Sequence, residues 1–196
     1  MTKLRRFLPL MIGIVLLGLL AWGVTSFLER LTSRNGETVV ATSKPVPSET
    51  PHIAATLFYA TPEGDALMPI RREVPLADGV VAQGRQILMS QLEAPPSPYI
   101  SAIPKGTTLR AFYVTDKGDA FVDVSGISAA HPGGSLSELL TVHAIVNAVT
   151  ANLPAVQRVQ ILVDGKEVDT IAGHVDIRRP LARDTSLIRE AESASP

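Results

Sequence analysis

Four histidines, His52, His131, His143 and His174, are scattered along the chain with no HExxH pair or other close ligand spacing, and cysteine is absent. A zinc site needs several Cys, His or carboxylate donors converging on one point, so no metal or other cofactor is expected. His143 falls in an apolar helical run beside Leu139 and Leu140. A packed or partly exposed histidine is the plainer reading there than a site titrating near about 6.5. Nucleophilic catalysis has no GxSxG or SxxK motif to rest on, and no glycine-rich phosphate loop is present. Ser135 follows Pro132, Gly133 and Gly134. Bare amides at such a helix start can hold an anion, but the spacing from Ser135 to Glu138 reads better as an ordinary capping box.

The acidic residues lead no further toward catalysis. Asp123, Asp164, Asp169 and Asp176 lack the spacing of a calcium loop, and each reads as a solvated strand or turn residue. Glycoside hydrolysis would need two carboxylates across a cleft, and Glu63, Asp123 and Asp164 are the ones that would have to converge. No catalytic residue is assigned, and the chain is expected not to be an enzyme. Binding is what remains. His174, Asp176, Arg178 and Arg179, with apolar neighbours Ile177 and Leu181, have the composition of a protein-contacting surface, against the competing reading of a solvated sheet edge.

The stretch that must place this surface is the uncharged run 7–28, long enough to cross a bilayer as one helix. Lys3, Arg5 and Arg6 precede it, while Glu29 and Arg30 nearly cancel behind it. That bias keeps residues 1–6 in the cytoplasm and sends the rest outward. The expected location is therefore the inner membrane, single-pass, with the carboxy-terminal domain extracytoplasmic, or periplasmic. A cleaved signal peptide is the alternative. Residues 29–52, rich in Ser, Thr and Pro, read as an extended linker, and residues 188–196 as a disordered tail. With a net charge of −1 and no basic cluster beyond the amino terminus, a nucleic-acid partner is not expected. The lack of cysteine leaves core burial to hold the domain without disulfides.

Residues 53–187 have room for one domain. ATLFYA and ALMPIRREV predict a hairpin, with Pro69 favouring an edge. Asp78 is placed to cap a helix over 79–92, with Val81, Ile87, Leu88 and Leu92 on or near one face. Gly84 weakens that helix and suggests close packing on the sheet. Four prolines in EAPPSPYISAIPKG break the pattern. The clearest hairpin follows in 107–125 around Gly118. A second helix opens at Ser135, with Leu139, Val142, Val146, Val149 and Leu153 as its core stripe. RVQILV then predicts a strand ending in the Asp164-Gly165 turn. The order strand, strand, helix, strand, strand, helix, strand predicts an α+β sandwich with helices on one face of a small mixed sheet.

Several of these pieces, taken in order, resemble the GerMN domain of sporulation and spore germination proteins. They are LFYATPEGDALMPIRREV, QILMSQLEAPP, IPKGTTL, AFVDVS, LLTVHAIVNAVT and VQILVDGKEVDTIAGHVDIRRPL, and the resemblance covers roughly 54–187. The resemblance implies a small α+β module similar to ring-building domains, which binds a protein partner or itself and offers no catalytic residue to carry over. Many relatives are lipoproteins or carry two copies, whereas this chain has a predicted helical anchor and one copy. The functions consistent with this are an envelope interaction module tied to sporulation, germination or cell-wall maintenance, or a peptidoglycan-binding module or accessory of a cell-wall hydrolase.

Overall fold

The structure, a computed structural model, describes residues 51–130 and 132–189. The predicted membrane span 7–28, the linker up to residue 50, His131 and residues 190–196 lie outside the described residues. Among the described residues no helix is long and apolar enough to cross a membrane.

The chain begins with an antiparallel hairpin, β1 His52–Ala60 and β2 Leu67–Pro75. Helix α1, Val80–Leu92, follows, and then a second hairpin of β3 Thr108–Val114 and β4 Asp119–Ser125. Helix α2, Ser135–Asn152, leads to β5 Arg158–Val163, and β6 is a two-residue strand, Leu181–Ala182. The expected order of elements is present, but the strands form two sheets. β1 and β2 stand apart, while a four-stranded mixed sheet runs β3-β4-β5-β6. Within it β4 and β5 are parallel, so β4, α2 and β5 make one crossover unit that the sequence pattern did not suggest. Period-two alternation turns Ala120, Val122, Val124, Val159, Ile161 and Val163 inward. Both helices touch this sheet and also the hairpin.

That placement explains the burial of α2. Its expected single core stripe is too narrow, because every residue from 140 to 149 is buried and Leu139 only partly so. The helix is packed against β1, α1, β5 and β6 at once and turns no side of these turns to water. The start of α1 also differs from expectation. Gly79, with φ 82°, takes the position given to Asp78, and no side chain caps the helix. Gln83 folds back instead, its Oε1 accepting from the Ala77 amide at 2.8 Å and its Nε2 donating to the Pro75 carbonyl at 3.1 Å. Val81 is exposed, leaving Ile87 and Leu88 as the apolar anchors of this helix.

The free edge of β1 is closed by side chains. Asn152 accepts from the Thr56 amide at 2.8 Å and donates to the Thr56 carbonyl at 2.7 Å. Gln91 does the same at Phe58, at 2.9 and 2.7 Å. The backbone of Ile100 completes the row at Ala60. Two carboxamides and one bridge thus stand in for a third strand, satisfying amides and carbonyls that would be costly to bury unpaired.

The expected close packing at Gly84 is present. A Cβ there would run into the ring of buried Phe112 on β3, with Cζ 2.7 Å away. Gly84→Ala is therefore expected to destabilise by about 1 to 3 kcal/mol through overpacking, outweighing a helix-propensity gain of ~1 kcal/mol. Denaturant unfolding of Gly84→Ala, Phe112→Leu and the double variant checks this. The double variant should cost less than the sum of the two.

Candidate functional site

After β5 the chain reverses through Asp164 and Gly165, both at positive φ, 53° and 78°, with Val163 and Lys166 exchanging both backbone hydrogen bonds. Asp123 secures the turn. Read from sequence as a solvated strand residue, it is buried, accepts from the Gly165 amide at 2.8 Å and pairs with Arg110 at 3.1 Å. Asp164, exposed as expected, lies 3.7 Å from the same guanidinium.

From there to β6 the chain has no regular structure, so its amides need other acceptors, and Glu138 supplies them. Helix α2 starts one residue earlier than a capping box requires. Gly134, at φ 89°, holds the N-cap position without a side-chain cap, and the Glu138 amide makes the helical bond to the Gly134 carbonyl. A one-residue offset rotates a helical side chain by about 100°, which carries Glu138 off the capping position and into the interior. It is fully buried. One carboxylate oxygen accepts from the Ile171 and Ala172 amides at 2.8 and 2.9 Å. The other accepts from the His174 amide at 2.8 Å and lies 3.1 Å from His174 Nδ1. Burial pushes this carboxyl upward, but the amides of Ala172, His174 and Ile171 and the His174 ring outweigh it, leaving it below its ordinary value. The positive end of the helix dipole acts in the same direction.

This anchor shapes the surface expected to bind a partner. His174 is exposed at its ring and tied at its backbone. Asp176 accepts from the Arg178 amide and from both sides of its guanidinium, at 2.7 to 3.0 Å. Those bonds from Arg178 hold the exposed Asp176 carboxyl far below the usual carboxylate range. Arg179 is exposed beside them. The four residues therefore sit on one loop. The apolar neighbours are a correction: Ile177 is buried in the core, its amide bonded to the Asp169 carbonyl and its carbonyl to Gln160 Nε2, so it is no interface anchor. Leu181 is half-buried in β6.

His143 is the packed histidine expected. It is buried, with Nδ1 unpartnered and Nε2 3.9 Å from an Asp184 oxygen. One turn on, Asn147 grips the Asp184 backbone, donating to its carbonyl at 2.7 Å and accepting from its amide at 3.1 Å. Burial pulls the His143 pKa down, and Asp184 offsets this only in part.

No catalytic geometry assembles from the residues that would have to provide it. Asp123 and Asp164 share Arg110, whereas Glu63 lies 3.7 Å from Arg189 in another part of the fold. The displaced carboxylates, Asp65, Glu138, Asp176 and Asp184, are all displaced downward, the opposite of a general acid held protonated. Two depressions flank the proline-rich connection. One, of about 290 Å³, is bordered by Ala60, Gly64, Ile100 and Leu140. The other, of about 430 Å³, is bordered by Leu92, Tyr99, Ile103 and Lys105. Among the described residues no group of three or more His, Cys, Asp or Glu could hold a metal ion.

Comparison with known proteins gives a family. The profile described as Germane, sporulation and spore germination, matches residues 56–169, more than half of the chain. Among solved structures, the first GerMN domain of the sporulation protein GerM from Bacillus subtilis is similar at 17% identity and a TM-score of 0.51, covering 67% of this chain and 98% of that one. The tandem GerMN domains of the same protein match at 14% identity and 0.54, covering 67% of this chain and 46% of the pair. A candidate lipoprotein from Clostridium perfringens matches at 23% identity and 0.48, covering 68% of this chain and 89% of that one. Identities at this level concern the fold. No curated protein matches.

Glu138→Gln is expected to cost about 2 kcal/mol or more, because an NH2 group then faces amides that need an acceptor. Hydrogen exchange should quicken across 169–178 while β4 and β5 stay protected. For His143 the folded state takes up a proton less readily than the unfolded chain. Stability present above about 6.5 should therefore be lost as pH falls through the lower folded value. Unfolding midpoints should drop from about pH 7 to about pH 5, and His143→Gln should flatten that slope.

Proposed function

The chain belongs to the Germane family of sporulation and spore germination domains, and from that footing we propose that it is a non-catalytic, membrane-anchored module that binds protein in an extracytoplasmic envelope complex. The observation that carries the proposal is the loop bearing His174, Asp176, Arg178 and Arg179, which a fully buried carboxylate pins at the amides of 171, 172 and 174. Fixing a loop beforehand reduces the entropy lost on binding, and arginines are enriched where proteins meet. The family match ends at residue 169, just before this loop.

The anchor is the uncharged run 7–28, which positions the domain on the outer side of the inner membrane and leaves residues 1–6 in the cytoplasm. A tether of this kind raises the local concentration of partners held on the same membrane. Sporulation or germination is the process the family description supports. A second reading, a peptidoglycan-binding module or hydrolase accessory, draws on Tyr113. This side chain is 61% exposed on β3, directly across from Phe121 on β4, and could stack on a sugar ring.

A photo-crosslinker at position 179 of the full-length chain in native membranes separates the two. The expected result is a reproducible protein adduct that Arg178→Glu with Asp176→Arg preserves and Arg178→Glu alone abolishes. Absence of any adduct, together with co-sedimentation with purified sacculi that Tyr113→Ala abolishes, would favour the saccharide reading.

A further inference from the structure

The two edges of the β1–β2 hairpin are treated differently. Hydrogen bonds from the Thr61 amide to the Ala66 carbonyl and from the Leu76 amide to the Pro51 carbonyl fix which residues of β2 bond β1. Given the register of the hairpin, these are Met68, Ile70, Arg72 and Val74. The backbones of Leu67, Pro69, Arg71, Glu73 and Pro75 therefore point outward. Leu67 is already taken, donating to the Leu187 carbonyl and accepting from the Arg189 amide. Pro69 and Pro75 have no amide hydrogen. Arg71 and Glu73 are left, both exposed, and among the described residues neither has an ion pair or an outward backbone partner.

Prolines and charges on an edge usually deter pairing. Here their order also selects one pairing, with a second copy of this chain. In an antiparallel arrangement with the two-fold axis at Arg72, Arg71 of each copy faces Glu73 of the other. Both opposed pairs then carry opposite charges, and each exchanges both main-chain hydrogen bonds. Moving the axis to Arg71 or to Glu73 sets like charges against each other and matches a proline with a residue that needs its amide. The prolines end the ladder on either side, short of the stretch of edge that Leu187 to Arg189 already hold at Leu67. The chain's own tail beyond Arg189 is a weaker occupant, because its Ala, Glu and Ser residues are poor strand formers.

We propose that β2 is a homotypic docking edge, through which two copies join by antiparallel pairing in the Arg71–Glu73 register. The proposal rests on the interaction-module reading and names one of its partners. A two-residue ladder is short, so the contact would be weak in dilute solution and populated where a shared membrane concentrates the copies.

The absence of cysteine makes the test direct. Full-length Arg71→Cys and Glu73→Cys chains are prepared in membrane vesicles and oxidised separately or as a mixture. In a hydrogen-bonded antiparallel pair the opposed Cα atoms stand about 5.5 Å apart, within disulfide range, whereas like positions stand beyond about 7 Å. The mixture should crosslink several-fold more than either variant alone. In the cysteine-free chain, Arg71→Glu should abolish association, and Arg71→Glu with Glu73→Arg should restore it. Equal crosslinking in all three samples, or none, overturns the proposal. So does an intramolecular disulfide in Arg71→Cys with Glu192→Cys, which would give the edge to the tail. Adducts at position 179 that persist when β2 does not crosslink would leave the interaction reading standing and remove only the strand pairing.

Discussion

A helix whose central turns face no water depends on internal partners for the polar groups it carries, and in α2, where His143 Nδ1 goes without one, four polar side chains each hold a different part of the chain. Glu138 gathers the amides of 171–174, the Thr141 hydroxyl lies 2.6 Å from the Ala102 carbonyl, Asn147 grips Asp184, and Asn152 pairs with Thr56. The apolar residues between them fill the space between hairpin and sheet. Loss of one contact would leave a buried group unsatisfied, which costs more than the bond itself contributes. The irregular segments, which make no sheet ladder, depend on this helix for their conformation.

The regular part of this arrangement was readable because local chemistry and tertiary structure agree. The aromatic run LFYA is a strand buried at every residue, alternation in AFVDVS and RVQILV matches strands with one apolar face turned inward, and Gly118 and Asp164-Gly165 are turns in the structure. Gly84 was readable as a close approach because glycine inside a helix is otherwise a cost. The helix starts were misread for a common reason. Asp78 and Ser135 are good caps by residue type, but in each case a glycine at positive φ takes the N-cap position and shifts the helix by one residue. In α2 that shift turns a surface carboxylate into a buried one. A Ser-x-x-Glu pattern looks the same in either case, so no local signal could have identified Glu138.

The candidate surface shows the same division. The residues named from composition do share one loop, and Arg178 with Asp176 forms a rigid bidentate pair. What composition could not supply was the direction of Ile177, because burial of a loop residue depends on contacts far away in sequence. The division of the strands into two sheets was hidden for a similar reason. Whether consecutive hairpins share a ladder depends on which edges are already occupied, and the occupants of the β1 edge come from α1, α2 and the proline-rich connection.

That edge also sets an order of events in time. β1 is the first strand of the domain to leave a ribosome, yet its second row of hydrogen bonds is completed by residues 91, 100 and 152. Contacts this distant in sequence form slowly, because a long loop must close before they return any energy. The hairpin must therefore wait, one flank bare, until nearly the whole domain has been synthesised. During that interval it is the segment most in need of a chaperone.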